Sequence, residues 1–458
     1  MTVSHTPDDQ EAVIAFLSCP ASYGPGDASV ERIATHCSVV FLAADRAHKL
    51  KRAIRYASLD YTTLAARQAA CEAELALNRR TAPELYLGVR AITRDAAGTL
   101  AFDGAGRVLD HVVVMRRFAQ SDLFDAMAER GLLTRELMRD LGGAIARFHL
   151  AAAPAPGHGG SAAIGRVIAD NTRELALVAT ALDGAAVDTL NQRARTALAS
   201  LAPLLDRRRA QGKVRRCHGD LRLANICLHA GRPTLFDCIE FSDEIGCIDV
   251  LHDLAFLLMD LHLRGRGDLA NTVFNAYADI APDAEGLPAL PLFLALRAAT
   301  RGYALAGSAA RQADASRAAR RMALARRHVD AGLRFLAPAP PRLIALGGDR
   351  DDERRDLADQ LAARMAPPPG ARIVHLAAAG EAGWHEASCA LAGGCSVLLE
   401  ADFRDTTERA RARKLASAAG VVFEGRWQRP VDLDQCAVGQ GVQSTNGREA
   451  GHDSEGRS

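Results

Sequence analysis

The sequence lacks a strong net charge, a long apolar run and a paired-cysteine motif. Its formal net charge is +1 at pH 7, so bulk electrostatics give no case for a nucleic-acid or membrane partner. The apolar runs are far shorter than a membrane span, and the start MTVSHTPDDQ lacks the features of a signal peptide. The 10 cysteines include no C-x-x-C pair, which disfavours a zinc site and fits a reducing compartment. We therefore expect a cytoplasmic protein.

One stretch concentrates the polar residues that phosphoryl transfer needs. Residues 217–261 read CHGDLRLANICLHAGRPTLFDCIEFSDEIGCIDVLHDLAFLLMDL and contain His218, Asp220, Asn225 and Asp237. The first three have the H-x-D-x-x-x-x-N spacing of a kinase catalytic loop. In that chemistry one aspartate accepts the proton of the attacking hydroxyl, while an asparagine and a second aspartate hold magnesium. A lone H-G-D tripeptide is a weak signal, but the ordered set predicts a phosphotransferase site.

The segment between the two metal-ligand candidates predicts a hairpin. Residues 226–228 and 234–236 are short apolar runs, and 229–232 carries turn chemistry. Asn225 and Asp237 then lie at the open ends of one hairpin, where their side chains converge on Mg2+.

These motifs resemble those of the aminoglycoside phosphotransferase-like kinases, and more narrowly a bacterial group in which such a domain precedes a P-loop ATPase or kinase domain. The resemblance is carried by THCSVVFLAADRAHKLKR, CEAELALNRRTAPELYLGV, VVVMRRF, CHGDLRLANICL, LFDCIEF and IDVLHDLAFLLMDL. It implies an α+β, protein-kinase-like bilobal fold with a small β-rich N-lobe and a larger helical C-lobe, followed by a truncated α/β P-loop-like remnant. It also implies ATP (or another NTP) and a small-molecule hydroxyl acceptor.

The chain divides into one large and one small predicted domain. We expect a disordered N-terminus (1–10), a kinase domain (11–337) with an N-lobe (11–117) and a C-lobe (118–337), a linker (338–341), a degenerate P-loop domain (342–430) and a disordered tail (431–458).

Two lysines compete for the contact with the nucleotide phosphates. Residues 38–43 and 47–54 read as paired strands, and Ala47, Lys49 and Lys51 share one face of the second. A kinase places its lysine two positions after a small residue, which favours Lys49 and leaves Lys51 open.

A glutamate on the predicted helix 64–80 should fix that lysine. The helix carries Glu72 and Glu74; the resemblance favours Glu74, and the choice stays open. The strand turn lacks a G-x-G-x-x-G motif, which argues against an ordinary protein kinase. Backbone N–H groups around Ser38 are the alternative cradle for phosphate.

The resemblance assigns four further residues. Met115 and Arg116 fall at the hinge, whose backbone would hold adenine. His218 is expected to brace the catalytic loop rather than do chemistry. Arg222, where relatives often have His, would assist the transferred phosphate or form a salt bridge to Asp237.

Acidic residues follow the second aspartate of the motif. Asp249 reads as the N-cap of the next helix, and the resemblance implies that Asp253 ties down the catalytic loop. Glu240, Asp243 and Glu244 give a weak lean towards a cationic or polyhydroxy acceptor.

The predicted C-terminal domain departs from its expected motif. A Walker A loop reads G-x-x-x-x-G-K-[ST], whereas residues 348–355 read GDRDDERR. The second glycine, the lysine and the hydroxyl residue are missing, and Asp351, Asp352 and Glu353 would repel phosphate. We expect a non-catalytic remnant.

The sequence thus predicts an ATP-dependent phosphotransferase in which Asp220 is the base. The alternative is a pseudokinase that binds nucleotide and acts through a protein partner. The complete set of Asp220, Asn225, Asp237 and Lys49 argues against that alternative. A protein kinase is the least favoured class, because D-C-I stands where D-F-G is expected.

Overall fold

The computed structural model describes residues 7–24, 29–56, 59–337 and 339–427. The predicted tail, 431–458, lies outside the described residues, as do residues 1–6 of the predicted N-terminus. The first lobe consists of α1 (Pro7–Ser18), β1 (Val30–Ala34), β2 (Ser38–Ala43), β3 (Arg46–Lys51), β4 (Arg55–Tyr56), β5 (Leu59–Asp60), α2 (Leu64–Asn78), β6 (Tyr86–Arg94), β7 (Leu100–Phe102) and β8 (Arg107–Arg116).

Six of these strands form one antiparallel sheet in the order β1-β2-β3-β8-β6-β7. Strand side chains alternate between faces, so Leu50 points into the core below α1 together with Phe41. Lys49 and Lys51 lie on the opposite face, which α2 covers through Glu74. The alternation therefore places both lysines on the face of the sheet where they contact Asp237 and Glu240.

The second lobe is mainly helical. It consists of α3 (Phe124–Glu129), α4 (Arg135–Ala151), α5 (Gly160–Val178), α6 (Gly184–Ala210), β9 (Val214–Arg216), β10 (Ile226–His229), β11 (Arg232–Leu235), α7 (Asp243–Gly246), β12 (Cys247–Asp249), α8 (Val250–Leu263), α9 (Gly267–Ile280), α10 (Leu290–Ala310) and α11 (Ala315–Phe335). The predicted hairpin is present, with Ile226 opposite Leu235. Asp249 caps α8, as predicted, by accepting the N–H of Leu251 at 2.9 Å.

A small α/β unit follows the helical lobe. It consists of β13 (Arg342–Gly347), α12 (Asp351–Ala362), β14 (Arg372–His375), α13 (Leu376–Ala392), β15 (Val397–Glu400), α14 (Thr406–Ala419) and β16 (Val422–Trp427). Its strands are parallel, in the order β14-β15-β13-β16. It packs on α9: Asn275 Oδ1 accepts the N–H of Ile373 at 2.8 Å, and Asn271 Nδ2 donates to Ala371 O at 3.0 Å.

Several boundaries differ from the sequence-based expectation. Helix α1 begins at Pro7, inside the stretch predicted to be disordered. Strands β1 and β7 were not predicted, and β3 ends at Lys51 instead of residue 54. Helix α5 begins at Gly160, where Asp206 accepts the N–H of Ser161 at 2.9 Å. Among the described residues, no helix is both long and apolar enough to span a membrane.

Candidate active site

The segment between β9 and β10 is held by one buried carboxylate. Asp253, on α8, accepts the N–H groups of His218 at 3.0 Å and Gly219 at 2.8 Å. It also pairs with His149 Nε2 at 3.1 Å. Gly219 has φ +84°, and a Cβ there would lie 3.0 Å from Ile239. The backbone of this loop is therefore fixed before any ligand arrives.

His218 is completely buried and bonded within the loop. Its Nε2 lies 2.9 Å from the carbonyl oxygen of Phe236. Burial lowers the pKa of the imidazole, so the ring is neutral and donates this hydrogen bond. The contact joins the catalytic loop to the end of the hairpin, which suits a bracing residue.

Asp220 carries the densest set of charged contacts in the loop. Arg222 donates from Nε to Oδ1 at 2.7 Å and from Nη2 to Oδ2 at 2.9 Å, and Asn225 Nδ2 donates to Oδ2 at 2.8 Å. Burial would raise the pKa of Asp220, but Arg222 outweighs it, and the pKa is lowered. Arg222 thus pairs with Asp220, two positions before it, and among the described residues it forms no salt bridge to Asp237, the alternative that was considered.

Asp237 adopts a backbone conformation that is uncommon for a non-glycine residue, with φ +60°. Its N–H donates to Tyr86 Oη at 3.1 Å, and the next N–H, of Cys238, donates to Asn78 Oδ1 at 2.9 Å. The preceding N–H, of Phe236, donates to Asn225 O at 3.0 Å. Tyr86 and Asn78 thus hold the segment, and sequence reasoning missed both.

The predicted lysine contacts the aspartate that follows the hairpin. Lys49 Nζ lies 2.9 Å from Glu74 Oε1 and also contacts Asp237 Oδ1. Burial would lower the pKa of Lys49, but Asp237 and Glu74 outweigh it, and the pKa is raised. Glu74 is completely buried, whereas Glu72 is exposed and accepts a hydrogen bond from Gln68.

The alternative lysine is part of the same charged chain. Lys51 is buried and contacts both Glu74 Oε2 and Glu240 Oε1. Tyr61 donates its hydroxyl to Glu240 at 2.6 Å. The chain therefore runs from Asp237 through both lysines to Glu240, and the sequence did not indicate its second half.

The remaining nucleotide candidates lie at strand ends. Ser38 starts β2, and its N–H donates to Thr35 Oγ1 at 3.0 Å. Arg116 ends β8, and its N–H donates to Leu85 O at 2.8 Å. Both N–H groups are used inside the protein, so a phosphate or adenine contact there needs other atoms. Met115 lies one residue earlier in β8 and is half-buried.

An arginine holds the loop that includes residues 348–350, part of the stretch that was predicted to be a degenerate Walker A motif. Arg354 stands at the position of the motif's lysine and contacts the carbonyl oxygen of Gly348 and Glu400 Oε1. Its Nη2 donates to Asp351 at 2.7 Å. Glu400 also pairs with His375 Nδ1 at 2.6 Å.

The sequence pattern that defines the phosphotransferase enzyme family matches residues 60–293, just over half of the 458 residues. The chain belongs to this family. The matched range contains Asp220, Asn225 and Asp237, whereas Lys49 precedes it. The phosphotransferase is accordingly a kinase, and the family part of the predicted resemblance is confirmed.

The phosphotransferase is also similar to uncharacterized mycobacterial proteins. One from Mycobacterium tuberculosis (strain H37Rv) is 28% identical over 434 residues, covering 87% of this chain and 84% of that protein. One from Mycobacterium bovis gives the same figures. Because 87% of 458 residues is about 398, the similarity extends past residue 337 into the α/β unit.

Two solved structures give weak overall superpositions. A choline/ethanolamine kinase family protein from Mesorhizobium loti has a TM-score of 0.42 at 19% identity, covering 71% of this chain and 99% of that chain. An amicoumacin kinase in complex with AMP-PNP, Ca2+ and Ami has a TM-score of 0.43 at 16% identity, covering 71% and 94%.

Proposed function

We propose that the protein transfers the terminal phosphoryl group of ATP, or of another NTP, to a hydroxyl group of a small molecule. The observation that carries the proposal is that Asp220, Asn225, Asp237 and Lys49 cluster: Asn225 bonds Asp220, and Lys49 contacts Asp237. Three separate stretches of the chain supply these four side chains, and each side chain has the chemistry of one part of a kinase site.

Asp220 is the proposed base. A carboxylate offers about four lone-pair positions, two on each oxygen. Oδ2 receives hydrogen bonds from both Arg222 and Asn225, whereas Oδ1 receives one, from Arg222. Oδ1 is therefore the oxygen with capacity left for the hydroxyl of an acceptor. Because the pKa is lowered, this carboxylate is ionised and able to accept a hydrogen bond at neutral pH.

Asn225 and Asp237 fit a magnesium site. Asn225 uses its Nδ2 on Asp220, so its Oδ1 faces away from that contact. Asp237 is 42% exposed, and Lys49 contacts only its Oδ1. One amide and one carboxylate oxygen match the oxygen ligands that magnesium prefers. Bound there, the ion would neutralise the charge of the nucleotide phosphates.

Lys49 supplies the positive charge for the phosphates. It is held by Glu74, which Lys51 contacts from the other side. A glutamate between two buried ammonium groups has little freedom to move, so the position of Lys49 is set by the protein before nucleotide binds.

The test compares native protein with Asp237→Ala and Asp220→Asn. Mg-ATP at 100 times its dissociation constant stabilises a protein by about 2.7 kcal/mol, which a thermal shift detects. We expect the shift in the native protein and in Asp220→Asn, and its loss in Asp237→Ala. ADP release should fall by roughly 10³-fold in Asp220→Asn. A shift that survives Asp237→Ala would contradict the metal assignment, and unchanged ADP release in Asp220→Asn would contradict the base assignment.

A further inference from the structure

We infer that the acceptor carries an oxyanion, a carboxylate or a phosphate group, close to the hydroxyl that is phosphorylated. The inference rests on the proposed function, because it takes Asp220 as the point where the acceptor hydroxyl lies. It concerns the side of Asp220 that faces α8 and α10, where arginines gather.

Two guanidinium groups stand over one aromatic ring beside Asp220. The Arg222 guanidinium carbon is 5.8 Å from the centroid of the Phe256 ring, and that of Arg297 is 4.7 Å from it. Arg222 is the residue that binds Asp220. Arg297 comes from α10, so two separate elements bring positive charge to this place.

Arg301 adds a third guanidinium. It follows Arg297 by four residues on α10, which places both on one face of the helix. Burial lowers the pKa of Arg301, and the nearby positive charge of Arg222 lowers it further. Within the part of the chain that the structure describes, no carboxylate lies within 4.0 Å of the Arg301 guanidinium. The neighbouring Asp260 is already used, because it pairs with Arg264 at 3.1 Å.

Arg297 is also incompletely paired. Its side chain is 8% exposed, and its Nη2 has no hydrogen-bond partner among the described residues. The nearest carboxylate oxygen is Asp253 Oδ1 at 4.0 Å, and that oxygen already accepts the N–H of Gly219. A buried charged donor without a partner costs free energy, and a bound anion would remove that cost.

Two of the three acidic residues that favoured a cationic acceptor are neutralised, and the third, Glu244, is exposed to solvent. Glu240 contacts Lys51 and accepts the Tyr61 hydroxyl, and Asp243 pairs with Arg216. The incompletely paired charges that the preceding contacts place beside Asp220, on Arg297 and Arg301, are positive. A guanidinium binds a carboxylate or a phosphate through two parallel hydrogen bonds, so Arg301 suits either group.

The test measures anion binding with sulfate as the probe. Potassium sulfate is titrated calorimetrically into the full-length protein at constant ionic strength, with and without Mg-AMP-PNP. The native protein should show saturable binding that is at least tenfold weaker in Arg301→Gln and less strongly weakened in Arg301→Lys, which keeps the charge but not the two parallel hydrogen bonds. The matched control is Arg320→Gln, since Arg320 is an exposed arginine of α11 that bonds only Ser316 among the described residues. Arg301→Gln should melt no lower than the native protein without sulfate, because it removes an unpaired charge.

Competition then separates the two sources of oxyanion. If gluconate displaces sulfate at a lower concentration than glucose 6-phosphate does, the oxyanion of the acceptor is a carboxylate. The reverse order indicates a phosphate. Displacement by glucosamine as effective as by either anion would overturn the inference. Sulfate binding that Arg301→Gln leaves unchanged, or the absence of saturable binding, would also overturn the inference. Sulfate that neither sugar anion displaces would be an adventitious ion only, and this result would overturn the inference too. Failure of Mg-AMP-PNP to produce a thermal shift would instead count against the proposed function, while the sulfate titration still reports on Arg301.

Discussion

Replacing Lys51 by methionine should destabilise the protein strongly, although Lys51 is not the proposed nucleotide lysine. Its side chain is 2% exposed, and its ammonium group contacts Glu74 and Glu240. Removing one partner of a buried ion pair typically costs 3–5 kcal/mol, because the other charge stays buried. Glu74 keeps Lys49, and Glu240 keeps only the Tyr61 hydroxyl, so we expect about 3 kcal/mol.

A double-mutant cycle with Glu240→Gln isolates the pair. Glu240→Gln alone leaves Lys51 with Glu74, and Lys51→Met alone leaves Glu240 without a cation. The double variant has neither charge, and Glu74 is still neutralised by Lys49. The combined loss should therefore be smaller than the sum of the single losses by roughly 1–3 kcal/mol.

Guanidinium denaturation followed by far-ultraviolet circular dichroism gives the four unfolding free energies. The matched control is the exposed pair of Arg411 and Glu381, whose cycle should show a coupling below about 1 kcal/mol, because water screens the pair. Additive effects of Lys51→Met and Glu240→Gln would refute the buried network. Thermal shift with Mg-ATP on the same variants adds a functional reading: Lys51→Met should weaken nucleotide binding, because Glu74 loses one of the two contacts that place it.

Two further predictions concern the supports of the site. Truncation after Leu336 should lower the melting temperature, because Asn275 on α9 loses its partners in the α/β unit. The truncated protein should still show a thermal shift with Mg-ATP. Complete loss of that shift would show that the α/β unit takes part in nucleotide binding. Asp253→Asn should lower turnover by weakening the hold on the His218 backbone, and its stability deficit should depend on pH. Burial would raise the pKa of Asp253, but hydrogen bonding to His149 and the surrounding positive charge outweigh it, and the folded pKa is lowered. The contribution of Asp253 to stability is therefore fully present above the unfolded pKa of about 3.9, and it is lost as the pH falls through the folded pKa. The difference in melting temperature between the native protein and Asp253→Asn, measured from pH 7 to pH 2, should narrow below about pH 4.

The parts of the site that lie close together in sequence were predictable. Asp220 and Asn225 share one loop, and the turn residues of the hairpin bring Asp237 back beside Asn225. The strand register placed Lys49 and Lys51 on one face, and alternation alone indicates this.

The supporting contacts were not predictable, because they join distant stretches. Lys51 and Glu240 are 189 positions apart, and Tyr86 and Asp237 are 151 apart. A buried tyrosine on a strand looks like a core residue until the fold shows where its hydroxyl lies. Arg301 is hidden for the same reason: α10 and α11 together carry many arginines, and only packing shows which one lies near Asp220.

The α/β unit has two sets of contacts, one that holds its first loop and one that joins it to the helical lobe. Arg354 bonds the loop carbonyl at Gly348 and the carboxylate of Glu400, so the loop is held closed by the protein itself. The buried carboxamides of Asn271 and Asn275, on α9, have partners on the segment 371–373. Without the unit, the face of α9 that it covers would be exposed to water and those hydrogen bonds would be lost.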